Sequence, residues 1–115
     1  MSKQQNVLDG AAKVWINFNG ENTPSIRNSQ NASSITDLGQ GLYQPNYTNA
    51  FSAADYAATA TCGPDPGVTA NMGVTIQTDS SNFTTSSLRF ISRKRNTNTD
   101  FDVDHAFLVA HGDLA

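Results

Sequence analysis

Charge is the scarcest ingredient of this sequence. Only 15% of its 115 residues are Asp, Glu, Lys or Arg, and they leave a net charge of -3. A surface that binds nucleic acid or an anionic membrane needs a basic excess, so neither partner is expected. Glu21 is the sole glutamate, Cys62 the sole cysteine, and His105 and His111 are the only histidines. A single cysteine excludes an internal disulfide and the spacing of a zinc ribbon. No run approaches the roughly 18 apolar residues of a membrane-spanning helix. The opening Met1-Ser-Lys-Gln-Gln-Asn6 lacks the apolar stretch of an export signal, so a signal peptide is not expected.

Hydrophobic residues are modest too, at 37%, and Asn, Ser and Thr fill the gap. Disordered chains combine high charge with few aromatics. Here charge is low, and six Phe, three Tyr and one Trp are spread along the chain, which fits a folded domain. The length suits a single domain with a thin core. Abundant Thr, aromatics and turn-forming Asn, Gly and Asp, with little Leu or Lys, favour β structure.

Residues 1–11 read as a polar N-terminal arm, a possible docking segment, and residues 12–115 as one β-sandwich-like domain. Val14, Ile16 and Phe18 alternate with Lys13, Trp15 and Asn17, the signature of a strand with one buried face. Ser25–Gln30 and Asn31–Asp37 are short strands anchored by Ile26 and Ile35. Leu38-Gly-Gln-Gly41 supplies a tight hairpin turn. The returning strand Leu42–Tyr47 carries Pro45, which predicts an edge, a strand end or a bulge. Phe51–Tyr56 is ambiguous between a helical turn and a strand, and the small residues from Ala53 to Ala60 suggest close sheet contact, including contact with a second subunit. Gly63-Pro-Asp-Pro-Gly67 is a loop. Strands follow at Asn71–Thr78 and around Leu88–Ile91, with a turn at Asp79–Asn82 and a polar loop at Asn96–Asp100. The last strand, Phe101–His111, is expected to place Phe101, Val103, His105, Phe107 and Val109 on one face. The sum is an all-β, antiparallel sandwich or barrel-like module of about seven or eight strands.

Each candidate for chemistry fails on spacing or on partners. His105 and His111 lie roughly 20 Å apart along an extended strand, too far to share a metal. Asp100, Asp102 and Asp104 invite a calcium reading, but that loop requires Gly and Glu where His105 and His111 stand. Acidic residues on an exposed strand, pairing with Arg89, Arg93 or Arg95, explain them better. Cys62 fits a small buried side chain. No carboxylate pair, phosphate loop or nucleophile elbow is present, so no enzyme, cofactor or metal is expected. The basic run Arg93-Lys94-Arg95 suits either a small anion contact or a solvated strand end that blocks aggregation. Trp15, opposite the apolar face, is either a sugar-stacking or subunit-contact residue or a side chain buried on the second side of its sheet.

One long stretch is more specific. Ala12-Lys-Val-Trp-Ile-Asn-Phe-Asn-Gly20, Thr23-Pro-Ser-Ile-Arg-Asn-Ser29, Ala32-Ser-Ser-Ile-Thr-Asp37 with Gly39, Gly41 and Tyr43, and Asn46-Tyr-Thr-Asn-Ala-Phe51 resemble a module common at the ends of bacteriophage tail-fibre and related virion proteins. Leu88-Arg-Phe-Ile-Ser-Arg93 and Asp102-Val-Asp104, followed by Ala106-Phe-Leu-Val-Ala110, correspond to its later half, so the likeness covers about residues 12–110. The resemblance implies a non-enzymatic structural protein of the phage particle, made in the host cytoplasm and assembled into the virion. It further implies other virion proteins as partners, a homo-oligomer with a trimer favoured, and adhesion to a host surface glycan or protein or completion of assembly. Trp15, Tyr43, Arg93, Lys94 and Arg95 are the expected surface or partner contacts. A capsid decoration or head-fibre protein anchored by its N-terminal arm is the alternative within that family. A free carbohydrate-binding module stacking sugar on Trp15 or Tyr43 is the alternative outside it.

Overall fold

The computed structural model describes residues 10–63, 72–76, 82–94 and 99–115, with the backbone path alone for 72–76. Nine strands run through these residues: β1 (Val14–Asn19), β2 (Ser25–Gln30), β3 (Ala32–Gly39), β4 (Leu42–Tyr47), β5 (Ala57–Cys62), β6 (Met72–Ile76), β7 (Phe90–Lys94), β8 (Thr99–Asp100) and β9 (Ala106–His111). They form two antiparallel sheets, one ordered β2-β1-β9-β5 and the other β3-β4-β7-β6, with the short β8 also paired to β7. The fold is the all-β sandwich that the composition predicts. The first nine residues of the expected arm, Arg95, and most of the Gly63–Gly67 and Asn96–Asp100 loops lie outside the described residues.

The alternation in β1 is strict. Val14, Ile16 and Phe18 are buried at 0–2% exposure, while Trp15, Asn17 and Asn19 are only partly covered. β2 runs back beside it and contributes Ile26 to the core. Asn31 then carries the chain into the second sheet. Its φ of 58° is a left-handed value that Asn tolerates better than most residues. Its carboxamide fixes the corner, accepting from the Asn49 N–H at 2.6 Å and donating to the Asn49 carbonyl at 3.0 Å.

The β3–β4 hairpin turns on Gly39 (φ 133°) and Gly41 (φ 72°). A Cβ on Gly41 would meet the Phe101 nitrogen at 2.6 Å and the Ser92 oxygen at 2.7 Å, so only glycine fits. Pro45 sits on an inner strand rather than an edge, and the hydrogen-bond pattern shows why it is tolerated. The Tyr47 N–H points away from β3 and donates to the Ser86 carbonyl at 2.8 Å. Pro45, two residues earlier, turns its missing N–H to the same side, beyond the point where the β4–β7 ladder stops at Leu42 and Tyr43. β8 takes over along β7 past the end of β4, pairing Thr99 with Lys94 and Asp100 with Arg93. Part of the expected 96–100 loop is therefore strand.

The ambiguous Phe51–Tyr56 is neither helix nor strand but an isolated bridge at Phe51 followed by bends and a turn, and β5 begins only at Ala57. Tyr56 is buried, Ala58, Ala60 and Cys62 pack against the core, and Ala57, Thr59 and Thr61 are exposed on the outer face. The last strand corrects an expectation. It begins at Ala106, and its inward residues are Ala106, Leu108 and Ala110, each 0% exposed, whereas Phe107 is half-buried and Val109 is 37% exposed. Phe101–His105 is irregular, and Val103 is buried within it. That break resets the parity, so the alternation cannot be carried unbroken from Phe101 to His111.

Two aromatic clusters fill the interior. Phe18, Tyr43 and Phe90 meet with centroids 5.2–5.6 Å apart. Tyr47, Phe51 and Tyr56 form the second, with Phe51 and Tyr56 stacked at 4.0 Å and Phe83 at 4.5 Å from Tyr56. The tail closes over this second cluster, because the Ser52 N–H donates to Asp113 and the Ala115 N–H donates to Ala50.

Candidate functional surface

Residues from four of the stretches quoted for the resemblance, 12–20, 23–29, 32–43 and 102–104, come close together in the fold. Tyr43 is the centre. It is 0% exposed, so it is a core residue and offers no surface for a sugar or a partner, contrary to the expectation for it. Its hydroxyl donates to the Gly20 carbonyl at 2.9 Å, accepts from the Val103 N–H at 3.2 Å and lies 3.2 Å from Asp102 Oδ1. That same Asp102 oxygen accepts from the Gly41 N–H at 2.6 Å. Burial, with the Asp102 carboxylate alongside, holds the Tyr43 pKa well above its ordinary value of 10.0, against the opposing hydrogen bond from Val103. A Cβ on Gly20 would run into the Tyr43 hydroxyl, so glycine is required there as well.

Arg27, on the edge strand, makes a separate contact beside this network. The β1–β2 register slips between Asn17 and Phe18, so that Arg27 is the extra residue of a bulge. The bulge aims its guanidinium at Asp104, which it meets at 3.0 Å. Asp104 also lies 3.0 Å from His105 Nδ1. The three aspartates thus diverge: Asp100 to Arg93, Asp102 to Gly41 and Tyr43, and Asp104 to Arg27 and His105. Among the described residues no group of three His, Cys, Asp or Glu side chains could hold a metal ion.

The basic run is occupied locally. Arg93 meets Asp100 at 2.6 Å across the β7–β8 pair, with both side chains 44% exposed. Exposed pairs of this kind add little stability. Lys94 places its ammonium 4.3 Å from the Phe101 ring centroid. Arg89, expected beside an aspartate, instead donates to Gln44 at 3.0 Å. Arg95 lies outside the described residues.

Trp15, like Arg93, is an expected site residue that stays within reach of solvent. It is half-buried on the outer face of the β2-β1-β9-β5 sheet, and its indole N–H donates to Gln30 Oε1 on β2 at 2.9 Å. The registers place Gln30, Trp15, Val109 and Thr59 in one cross-strand row, and Asn28, Asn17, Phe107 and Thr61 in the next. Three apolar side chains, Trp15, Phe107 and Val109, thus stand together on the outer face, ringed by amides and hydroxyls. Asn17 Oδ1 is out of contact with solvent and has no hydrogen-bond partner. Phe107 and Val109 share a face, as the alternation expects, but it is the outer one, and the break at Phe101–His105 separates them from the buried Val103. The signal that could have placed them outward is the small size of Ala106 and Ala110, which suits the interior of a sandwich filled by aromatic rings from the other sheet.

Comparison with known proteins returned no match. No family model, curated protein or solved structure is significantly similar to this chain. Among the described residues no helix is long and apolar enough to cross a membrane.

Proposed function

We propose that this chain is a non-enzymatic structural module of a bacteriophage virion, seated at the tip of a fibre or appendage, where it serves host adhesion or assembly as a trimer. The observation that carries this reading is the convergence around Tyr43. Gly20, Gly41, Asp102 and Val103, drawn from the stretches that resemble the virion module, meet around the Tyr43 hydroxyl, and Arg27 pairs with Asp104 beside them. A signature spent on closing a sandwich is architectural, and it leaves the outer sheet face as the working surface. The exposed Ala57, Thr59 and Thr61 of β5 support the subunit contact, because small side chains let a second copy approach closely.

Two measurements test this reading. Light scattering after size-exclusion chromatography is expected to give three times the 12.3 kDa chain mass at micromolar concentration; a stable monomer would count against the trimer. Antibody labelling of phage particles carrying the gene is expected to mark the tail fibres. Label on the head would replace the fibre reading with capsid decoration, and particles without label would overturn both.

A further inference from the structure

We propose that Asn19 is a site of spontaneous deamidation, and that the ring of hydrogen bonds closed by the Tyr43 hydroxyl sets its rate. The proposal rests on the geometry around Tyr43 and is independent of the virion reading.

Asn19 and Gly20 form the only Asn-Gly pair in the chain. An asparagine cyclises when the backbone nitrogen of the next residue attacks its side-chain carbonyl carbon. Glycine obstructs that attack least, because it has no Cβ and its backbone turns freely. The fold cannot exchange Gly20 for a bulkier residue. A Cβ there would strike the Tyr43 hydroxyl and approach the Val103 carbonyl at 2.9 Å. The packing around Tyr43 therefore keeps the most labile neighbour beside Asn19.

The side chain is already oriented for the reaction. Asn19 Oδ1 accepts from the Glu21 N–H at 2.8 Å, which fixes the carboxamide and draws electron density from Cγ. Asn19 is half-buried, so water reaches it. The nucleophile is what the fold withholds. Gly20 is buried, and its N–H donates to the Val103 carbonyl at 2.8 Å. The Val103 N–H donates to the Tyr43 hydroxyl at 3.2 Å, and that hydroxyl donates to the Gly20 carbonyl at 2.9 Å. These three bonds close a ring. Gly20 cannot lose its proton or swing toward Cγ until the ring opens, so the reaction proceeds only from locally opened molecules.

In the opened state hydroxide takes the Gly20 amide proton, the nitrogen bonds to Asn19 Cγ, and the carboxamide nitrogen leaves as ammonia. Water then opens the succinimide. Breaking its bond to Cγ gives aspartate, and breaking its bond to the main-chain carbonyl carbon gives isoaspartate. Isoaspartate routes the main chain through the side-chain methylene, so Gly20 no longer spans Val103 and Tyr43. A transient opening thus becomes a permanent one.

Purified protein would be incubated in mildly alkaline buffer, folded and in guanidinium chloride, with every asparagine followed by peptide mapping and mass spectrometry. In denaturant, Asn19 is expected to deamidate faster than any other asparagine. In the folded chain its rate should fall by about tenfold or more, in step with exchange of the Gly20 amide hydrogen. Tyr43→Phe removes the hydroxyl and keeps the aromatic ring, so the folded variant should lose much of that protection. Asn28, exposed on β2 and followed by Ser29, is the internal clock and should be unaffected by the substitution. Where Tyr43→Phe does not fold, the wild-type chain in denaturant below its unfolding transition supplies the readout. Modification of Asn19 and exchange at Gly20 should then rise together.

Equal Asn19 rates in the folded and unfolded chain would overturn the proposal. So would an Asn19 that stays intact, or lags behind another asparagine, in denaturant. A folded Tyr43→Phe that modifies Asn19 no faster than wild type would overturn it too, as would modification that rises while the Gly20 amide stays protected. None of these outcomes bears on oligomeric state or particle labelling, so this proposal and the virion reading fail separately.

Discussion

The two faces of the β2-β1-β9-β5 sheet are built from the same strands and differ in every physical respect. On the inner face, Val14, Ile16, Phe18, Ala106, Leu108 and Ala110 are all at 2% exposure or less. On the outer face, the residues between them in sequence, Trp15, Asn17, Phe107 and Val109, remain partly open. The inner face meets aromatic rings from the opposite sheet, whereas among the described residues the outer one stays partly exposed. A strand that spends only one of its two faces on folding has the other available for solvent or a partner. The comparison separates what holds the molecule together from what it can present to a partner.

The chain supplies its own spectroscopic labels for the two sides. All three tyrosines are inside, with Tyr43, Tyr47 and Tyr56 at 0%, 7% and 6% exposure, and the single tryptophan is outside. Burial raises the pKa of each tyrosine above its ordinary value of 10.0. Above pH 10 the unfolded chain can release phenolic protons that the folded chain retains. The folded state then binds more protons, and stability falls as pH rises; below pH 10 this contribution is fully present. The largest expected effect is therefore alkaline unfolding in which tyrosinate absorbance rises together with loss of the β signal in circular dichroism. A tyrosine that titrates near pH 10 while the fold persists would show the inner face to be open.

The next effect isolates one inner residue. Leu108 sits at 0% exposure, one position from the outward Val109. Leu108→Ala removes packed methyl groups and leaves a cavity, which should lower unfolding free energy by about 2–5 kcal/mol in chemical denaturation. A loss below about 1 kcal/mol would mean that the site collapses freely and that the inner face is not close-packed.

Much of this architecture was legible in residue order. β1 and the hairpin glycines were readable because alternation and turn chemistry are local signals, and Val14, Ile16 and Phe18 point inward as their period demands. The final strand was not, because Phe101 to His111 carries apolar residues on both parities and the chain bends between Val103 and Ala106. Periodicity cannot detect a bend that non-local pairing to β7 and β1 imposes. Pro45 was legible as a missing donor, yet its place on an inner strand depends on where β7 stops beside it. The role of Tyr43 was misread for the same reason. Its partners Gly20, Asp102 and Val103 are 23, 59 and 60 residues away along the chain, so only the fold brings them together.

The smallest expected effect gives the sharpest comparison, because it uses one substitution on both faces. Val14→Thr and Val109→Thr change the same methyl to a hydroxyl in the paired strands β1 and β9, in adjacent rows of one ladder. At Val14, which is 0% exposed, the hydroxyl replaces a methyl packed among apolar neighbours, and an unmet donor there should cost about 1–3 kcal/mol. At Val109, which is 37% exposed, water satisfies the hydroxyl and β-branching is kept, so the change should stay within about 0.5 kcal/mol. Denaturant midpoints of the two variants, measured well below the concentration of any self-association, read the difference directly. Equal losses at both positions would mean that the outer face is closed in solution as tightly as the inner one, and the division of labour between the two faces would then be wrong.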